Sequence, residues 1–94
     1  MRIVFDPRAA DELEGQIDYL LEQHARAAAA RLEARCMAFL ETFLVTYPRS
    51  GKFIAEASVW ETWIPGTRLV VWYRFSVEEL QIIRIWHASQ VREA

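Results

Sequence analysis

Two arginines stand where a strand core would carry none. Residues 68–75 read Arg-Leu-Val-Val-Trp-Tyr-Arg-Phe and residues 80–87 read Leu-Gln-Ile-Ile-Arg-Ile-Trp-His, separated by a short polar break. Both runs are rich in β-branched and aromatic residues, so together they form a hairpin signal. Side chains alternate across a strand. One face of the first run therefore carries Leu69, Val71, Tyr73 and Phe75, and the other carries Val70, Trp72 and Arg74. In the second run, alternation puts Gln81, Ile83, Ile85 and His87 toward the core and Leu80, Ile82, Arg84 and Trp86 on the open face. Trp72, Arg74, Arg84 and Trp86 thus share a surface that Trp60 or Trp63 joins, depending on register; we assign Trp60. Large aromatics beside arginine have the composition of a protein-binding hot spot.

The remaining chemically capable residues are few. His87 ends the second run on the helix-facing side, where a packed, hydrogen-bonded imidazole is expected. His24 falls at the break between two helices, and no second His or Cys lies at metal-ligand spacing from it. The lone cysteine, Cys36, excludes an internal disulfide and reads as a small buried hydrophobe on a helix. Neither a metal nor a cofactor is implied.

The elements that position these residues follow from the pattern. Ile3-Val4-Phe5 is a first strand. Asp6-Pro7 opens a helix, with Asp as N-cap and Pro in the first helical position. Ala10, Leu13, Ile17, Leu20, Leu21 and His24 form its apolar stripe, and Asp11, Glu12, Glu14, Asp18 and Glu22 its solvated face. Residues 25–47 form a second helix with Ala28, Leu32, Cys36, Phe39, Leu40, Phe43, Leu44 and Tyr47 buried. The short link makes the pair an antiparallel helical hairpin. Pro48 stops the second helix and residues 49–52 are loop. Val59 to Ile64 is the next strand, Pro65-Gly66-Thr67 turns it into the third, Leu69 to Phe75, and Leu80 to Trp86 is the fourth. The fold class is α+β: a strand, the helical hairpin, then a three-stranded antiparallel meander with both helices on one face of the sheet.

Ninety-four residues make one domain, residues 1–94. A hydrophobic fraction of 53% excludes a disordered chain. Four Trp, three Tyr and five Phe exceed what so small a core requires, which again suggests an interface. Net charge is −2, with five Arg against eight acids in residues 1–47 and six basic residues against five acids in residues 48–94. That balance argues against binding driven by nucleic-acid phosphates. Arg2 precedes only a three-residue apolar run, so no signal peptide is read, and no stretch approaches the ~18 apolar residues of a membrane span. A cytoplasmic location is expected.

The order of elements resembles the RelE/ParE toxin superfamily. So do Phe5-Asp6-Pro7-Arg8-Ala9-Ala10-Asp11-Glu12-Leu13, Tyr47-Pro48-Arg49-Ser50-Gly51, Trp72-Tyr73-Arg74 and Ile82-Ile83-Arg84-Ile85-Trp86-His87. The resemblance implies a small bacterial toxin of a type II toxin–antitoxin module, of the kind used in plasmid stabilisation, whose partner is an antitoxin. RelE-like members cut ribosome-bound mRNA; ParE-like members poison DNA gyrase and are not nucleases. Metal-independent RNA cleavage needs a base for the 2′-hydroxyl, an acid for the leaving oxygen and cations on the phosphate. Here the candidates implied are His87, Arg84, Arg74, Arg68, Lys52 and Glu61. The tail lacks a second His or a Tyr, carries only Arg92 as a base, and has Gln90 where many relatives have a basic residue. The ParE-like branch is therefore favoured, which implies a non-enzymatic gyrase inhibitor. A ribosome-dependent mRNA endonuclease and a non-toxic binding module of the same fold are the alternatives.

Overall fold

The computed structural model describes residues 1–89; Gln90 and Arg92 lie outside the described residues. Strand β1 spans Arg2–Phe5 and helix α1 Pro7–Glu22. The expected cap is present: the Asp6 side chain accepts a hydrogen bond from the Arg8 backbone N–H at 2.9 Å, and Pro7 takes the first helical position. The chain reverses at residues 23–25 into α2, Arg26–Ala38. His24 adopts a left-handed backbone with φ of 58° there. That conformation costs a β-carbon roughly 1 kcal/mol that glycine avoids. His24→Gly should therefore raise the melting temperature by about 4–8 °C, read by thermal denaturation; a lower melting temperature would show that the imidazole contributes more than its backbone costs.

α2 continues into a wider turn over Phe39–Leu44, marked by a Val45 N–H to Leu40 O bond of 3.3 Å across five residues. Cys36, Leu40 and Leu44 are all fully buried at strict four-residue spacing. An α-helix of about 3.6 residues per turn would drift off that line, and the wide turn absorbs the drift. It also overturns part of the expected stripe. Phe43 and Tyr47 are 42% and 58% exposed; well ahead of the wide turn, in regular helix, Ala29 rather than Ala28 is buried. On α1, likewise, Ala9 is buried in place of Ala10, and Leu21 is exposed.

The sheet has five strands in the order β1-β5-β4-β3-β2, with β2 at Lys52–Ile54, β3 at Val59–Trp63, β4 at Leu69–Phe75 and β5 at Glu79–His87. The turn between β3 and β4 forms where expected, with Gly66 at φ 78°. Two features differ from the sequence expectation. Lys52 is not loop but opens the short edge strand β2, antiparallel to β3. β1 pairs parallel with β5, making the sheet mixed. Exposed Arg2 anchors this pairing through Glu79, whose carboxyl is held below its ordinary range by hydrogen bonds from Arg2 and Gln81.

The core lies between the helices and one sheet face, where Ala9, Leu13, Cys36, Leu40 and Leu44 meet Ile64, Leu69, Val71, Tyr73, Leu80, Ile82 and Ile85. Burial pushes the Cys36 thiol up to about 11, as an inert core thiol requires. A second cluster, Val59, Val70, Trp72 and Trp86, occupies the opposite face.

Candidate functional site

β5 carries a bulge. Tyr73 is paired with Ile82 and Trp72 with Arg84, so Ile83 is an extra residue. A bulge shifts the alternation by one. Before it, Leu80 and Ile82 face the helices, Gln81 is exposed, and Ile83 packs on the second face, all opposite to strict alternation. After it, the expected phase holds: Ile85 lies in the core while Arg84 and Trp86 lie on the second face.

The bulge falls where β5 loses its neighbour. β1 pairs only with residues 79–82; the Asp6 N–H then donates to Ile82 O and the chain departs into α1. The β5 edge beyond is closed by one side chain. Glu12 accepts from the Ile85 backbone N–H at 3.0 Å, from Arg84 Nε at 2.9 Å and from Arg84 Nη2 at 2.6 Å. Arg84 also lies 3.8 Å above the Trp86 ring centroid. Its charge is thus compensated on one side by a carboxylate and on the other by an aromatic face. Glu12, read from sequence as part of a solvated face, is a missed residue. Its signal was its position beside buried Ala9 and Leu13, on a chain with an uncompensated strand arginine.

The second face is covered by its own side chains. Trp72 and Trp86 are only 7% and 5% exposed and meet edge-on with centroids 5.3 Å apart. Trp72 Nε1 donates to Glu61 at 2.7 Å, whereas the buried Trp86 Nε1 has no hydrogen-bond partner among the described residues. Register decides the fifth aromatic. Trp63 pairs with Val70 and shares this face; Trp60 pairs with Tyr73 and packs on the helix side against Phe53 and Phe75. The assignment of Trp60 to the Trp72 face is therefore corrected.

Of the residues named for RNA cleavage, Arg74 and Arg84 line one hollow on the second face, but Lys52 and His87 do not join them. Lys52 faces Glu61, Glu61 faces Trp72 and Trp72 faces Arg84, so Lys52 and Arg84 end one row, three strand spacings or roughly 14 Å apart. Arg84 turns to Glu12, beyond the far side of that row. Arg74 donates from Nε to Ser58 O at 2.9 Å and from Nη2 to Ala57 O at 3.3 Å. His87 pairs with core residue Leu69, placing it on the helix side of the sheet, away from these three. Its Nδ1 accepts from the Ser89 N–H at 3.2 Å and lies 2.6 Å from Ser89 Oγ. Arg68 is exposed at the start of β4. Among the described residues no group of acids, His and Cys could hold a metal, and no helix is long and apolar enough to cross a membrane.

The helix-side loop is built around Tyr73. Its hydroxyl donates to Pro48 O at 2.6 Å, tying the turn Pro48–Ser50 to the sheet. Burial raises the phenol above its ordinary value of 10.0. The neutral form is the one the fold favours, so this tie is complete below pH 10 and fades as pH rises through the elevated value. Beside it, Phe39, Phe43 and Tyr47 make a ring ladder with successive centroids 5.2 Å apart, bordering a groove of about 610 Å³ that reaches Arg49.

The α+β fold, with two helices on one face of a sheet ending in a meander, is shared with solved structures. One chain, from the chromosomal ParDE TA system from P. aeruginosa, superposes with a TM-score of 0.74 over 93% of this chain and 95% of its own, at 17% identity. At that identity the likeness concerns the fold. No match is found among curated proteins. The family model of the ParE toxin of the type II toxin–antitoxin system parDE matches residues 3–92. The chain belongs to this ParE toxin family and is a type II toxin of the RelE/ParE superfamily.

Proposed function

We propose that the protein acts by binding and inhibiting DNA gyrase, without chemistry of its own, and that a cognate antitoxin neutralises it by binding the sheet face of Trp72, Arg74, Arg84 and Trp86. The observation that carries this reading is the division of the nuclease candidates. His87 stands on one side of the sheet, Lys52, Arg74 and Arg84 on the other, and Arg84 and Arg74 are already committed to Glu12 and to backbone carbonyls. A scissile phosphate held by the arginines would have no imidazole beside it. The small net charge of −2 also favours a protein target over a phosphate-rich one. In this reading Arg74 and Arg84 border the contact surface, and the nearly buried Trp72 and Trp86 support it from beneath.

A supercoiling assay tests the target. Purified toxin should block supercoiling by gyrase, and prior addition of the antitoxin should restore it. Gyrase unaffected at excess toxin would remove gyrase as the target.

A further inference from the structure

A hollow of about 410 Å³ opens on the second sheet face, between the first turn of α1 and strands β3 to β5. Its walls include Arg8, Arg74 and Arg84, and its floor includes Val59, Trp72 and Ile83. A second hollow, of about 340 Å³, shares Arg74 and Ile83 and extends to Val4 and Pro7, so the two form one groove. The three guanidinium groups differ in what they already hold. Arg84 is neutralised by Glu12. Arg74 is held by two carbonyl oxygens, which fix its orientation and leave its charge uncompensated. Arg8 is exposed, and its guanidinium makes no ion pair among the described residues. The nearby acid, Asp6, lines the second hollow and is turned to the α1 N-terminus, where it accepts from the Arg8 backbone N–H. Two uncompensated cations therefore border an apolar floor.

We propose that this groove is an anchor for an acidic segment of the antitoxin, with an Asp or Glu carboxylate between Arg8 and Arg74 and an adjacent apolar side chain on Val59 and Ile83. The inference rests on the toxin–antitoxin reading above and adds the chemistry of the contact. A carboxylate beside an apolar group matches both the charge and the floor. A nucleic-acid backbone matches the charge but not the apolar floor, and it would bring further phosphates to a groove whose continuation carries the acid Asp6. Arg8 is the decisive residue, because its removal breaks no contact that holds the fold together.

Calorimetric titration with the cognate antitoxin tests the proposal. At 0.1 M salt, Arg8→Glu should weaken binding by roughly 10- to 100-fold and Arg8→Lys by less than about 3-fold. Arg74→Gln should weaken it as well. The Arg8→Glu deficit should shrink at 0.5 M salt and be reversed by exchanging the matching antitoxin acid for Lys. The melting temperature of Arg8→Glu should equal that of the wild type. Wild-type affinity in Arg8→Glu would overturn the anchor while leaving the antitoxin reading intact. Absence of binding by the wild-type toxin would overturn the antitoxin reading itself, and the anchor with it. A single-stranded RNA oligomer that binds the wild type and is lost in Arg8→Glu, with antitoxin affinity unchanged, would reassign the groove to nucleic acid.

Discussion

Replacing Glu12 with alanine should lower the free energy of unfolding by about 3 kcal/mol. The side chains of Arg84 and Glu12 are 14% and 21% exposed, between the surface regime and the interior. Exposed ion pairs contribute about 0–1 kcal/mol. Breaking a buried one costs about 3–5 kcal/mol, because the surviving charge is stranded. Here two further losses accompany the pair. The Ile85 N–H loses its acceptor on the edge that β1 does not cover, at about 1–3 kcal/mol for an unsatisfied buried donor. α1 also loses a tie to β5. Small domains have about 5–15 kcal/mol in total, so the variant should melt well below the wild type. Urea denaturation measures the loss. Adding Arg84→Met should recover part of it, since the stranded charge is then gone. A loss under about 1 kcal/mol, or no recovery in the double variant, would show that the pair behaves as an ordinary surface contact.

Gly51→Ala should cost about 2–3 kcal/mol, for a reason that is spatial and not conformational. Gly51 has extended backbone, φ −80° and ψ −171°, which any residue adopts. A β-carbon there would sit 2.6 Å from the Glu61 carbonyl oxygen and 2.7 Å from the Tyr73 hydroxyl. Neither neighbour yields freely: the first is strand backbone, and the second is held by Pro48 O. Overpacking of this kind costs about 1–3 kcal/mol, and displacing the hydroxyl adds about 1 kcal/mol for the Tyr73–Pro48 bond. Tyr73→Phe alone should cost about 1 kcal/mol. Combined with Gly51→Ala it should cost less than the sum, because one of the two clashing atoms is absent. Equilibrium unfolding of the three variants decides; strict additivity would show that the hydroxyl does not set the space available at Gly51.

Those two residues also show what was legible in the chain and what was not. Strand Leu69–Phe75, the Asp6-Pro7 start of α1 and the turn at Gly66 were readable because each rests on local chemistry: alternation, a side-chain cap, a positive φ. The bulge at Ile83 was not, because counting by twos assumes an unbroken ladder, and one extra residue transferred Leu80 and Ile82 to the core. β2 was missed because three residues beside Gly51 give too short a pattern. The burial of Phe43 and Tyr47 was overestimated because the wide turn at Phe39–Leu44 departs from α-helical periodicity. Trp72, Arg74, Arg84 and Trp86 do lie on one face, but both tryptophans are buried there and not open, and Trp60 is not a member, since register is set by pairing across strands. The role of Glu12 depended on a contact across 72 residues.

In the function proposed above this toxin is a binding protein, with Arg74 and Arg84 committed to structure and contact. Toe-printing of translating ribosomes incubated with purified toxin tests it most directly. The expected result is no cleavage of A-site mRNA at toxin concentrations that arrest growth. Cleavage that appears with the wild type and disappears in His87→Ala would contradict the claim, and would require His87 to reach a substrate also held by the arginines on the other side of the sheet.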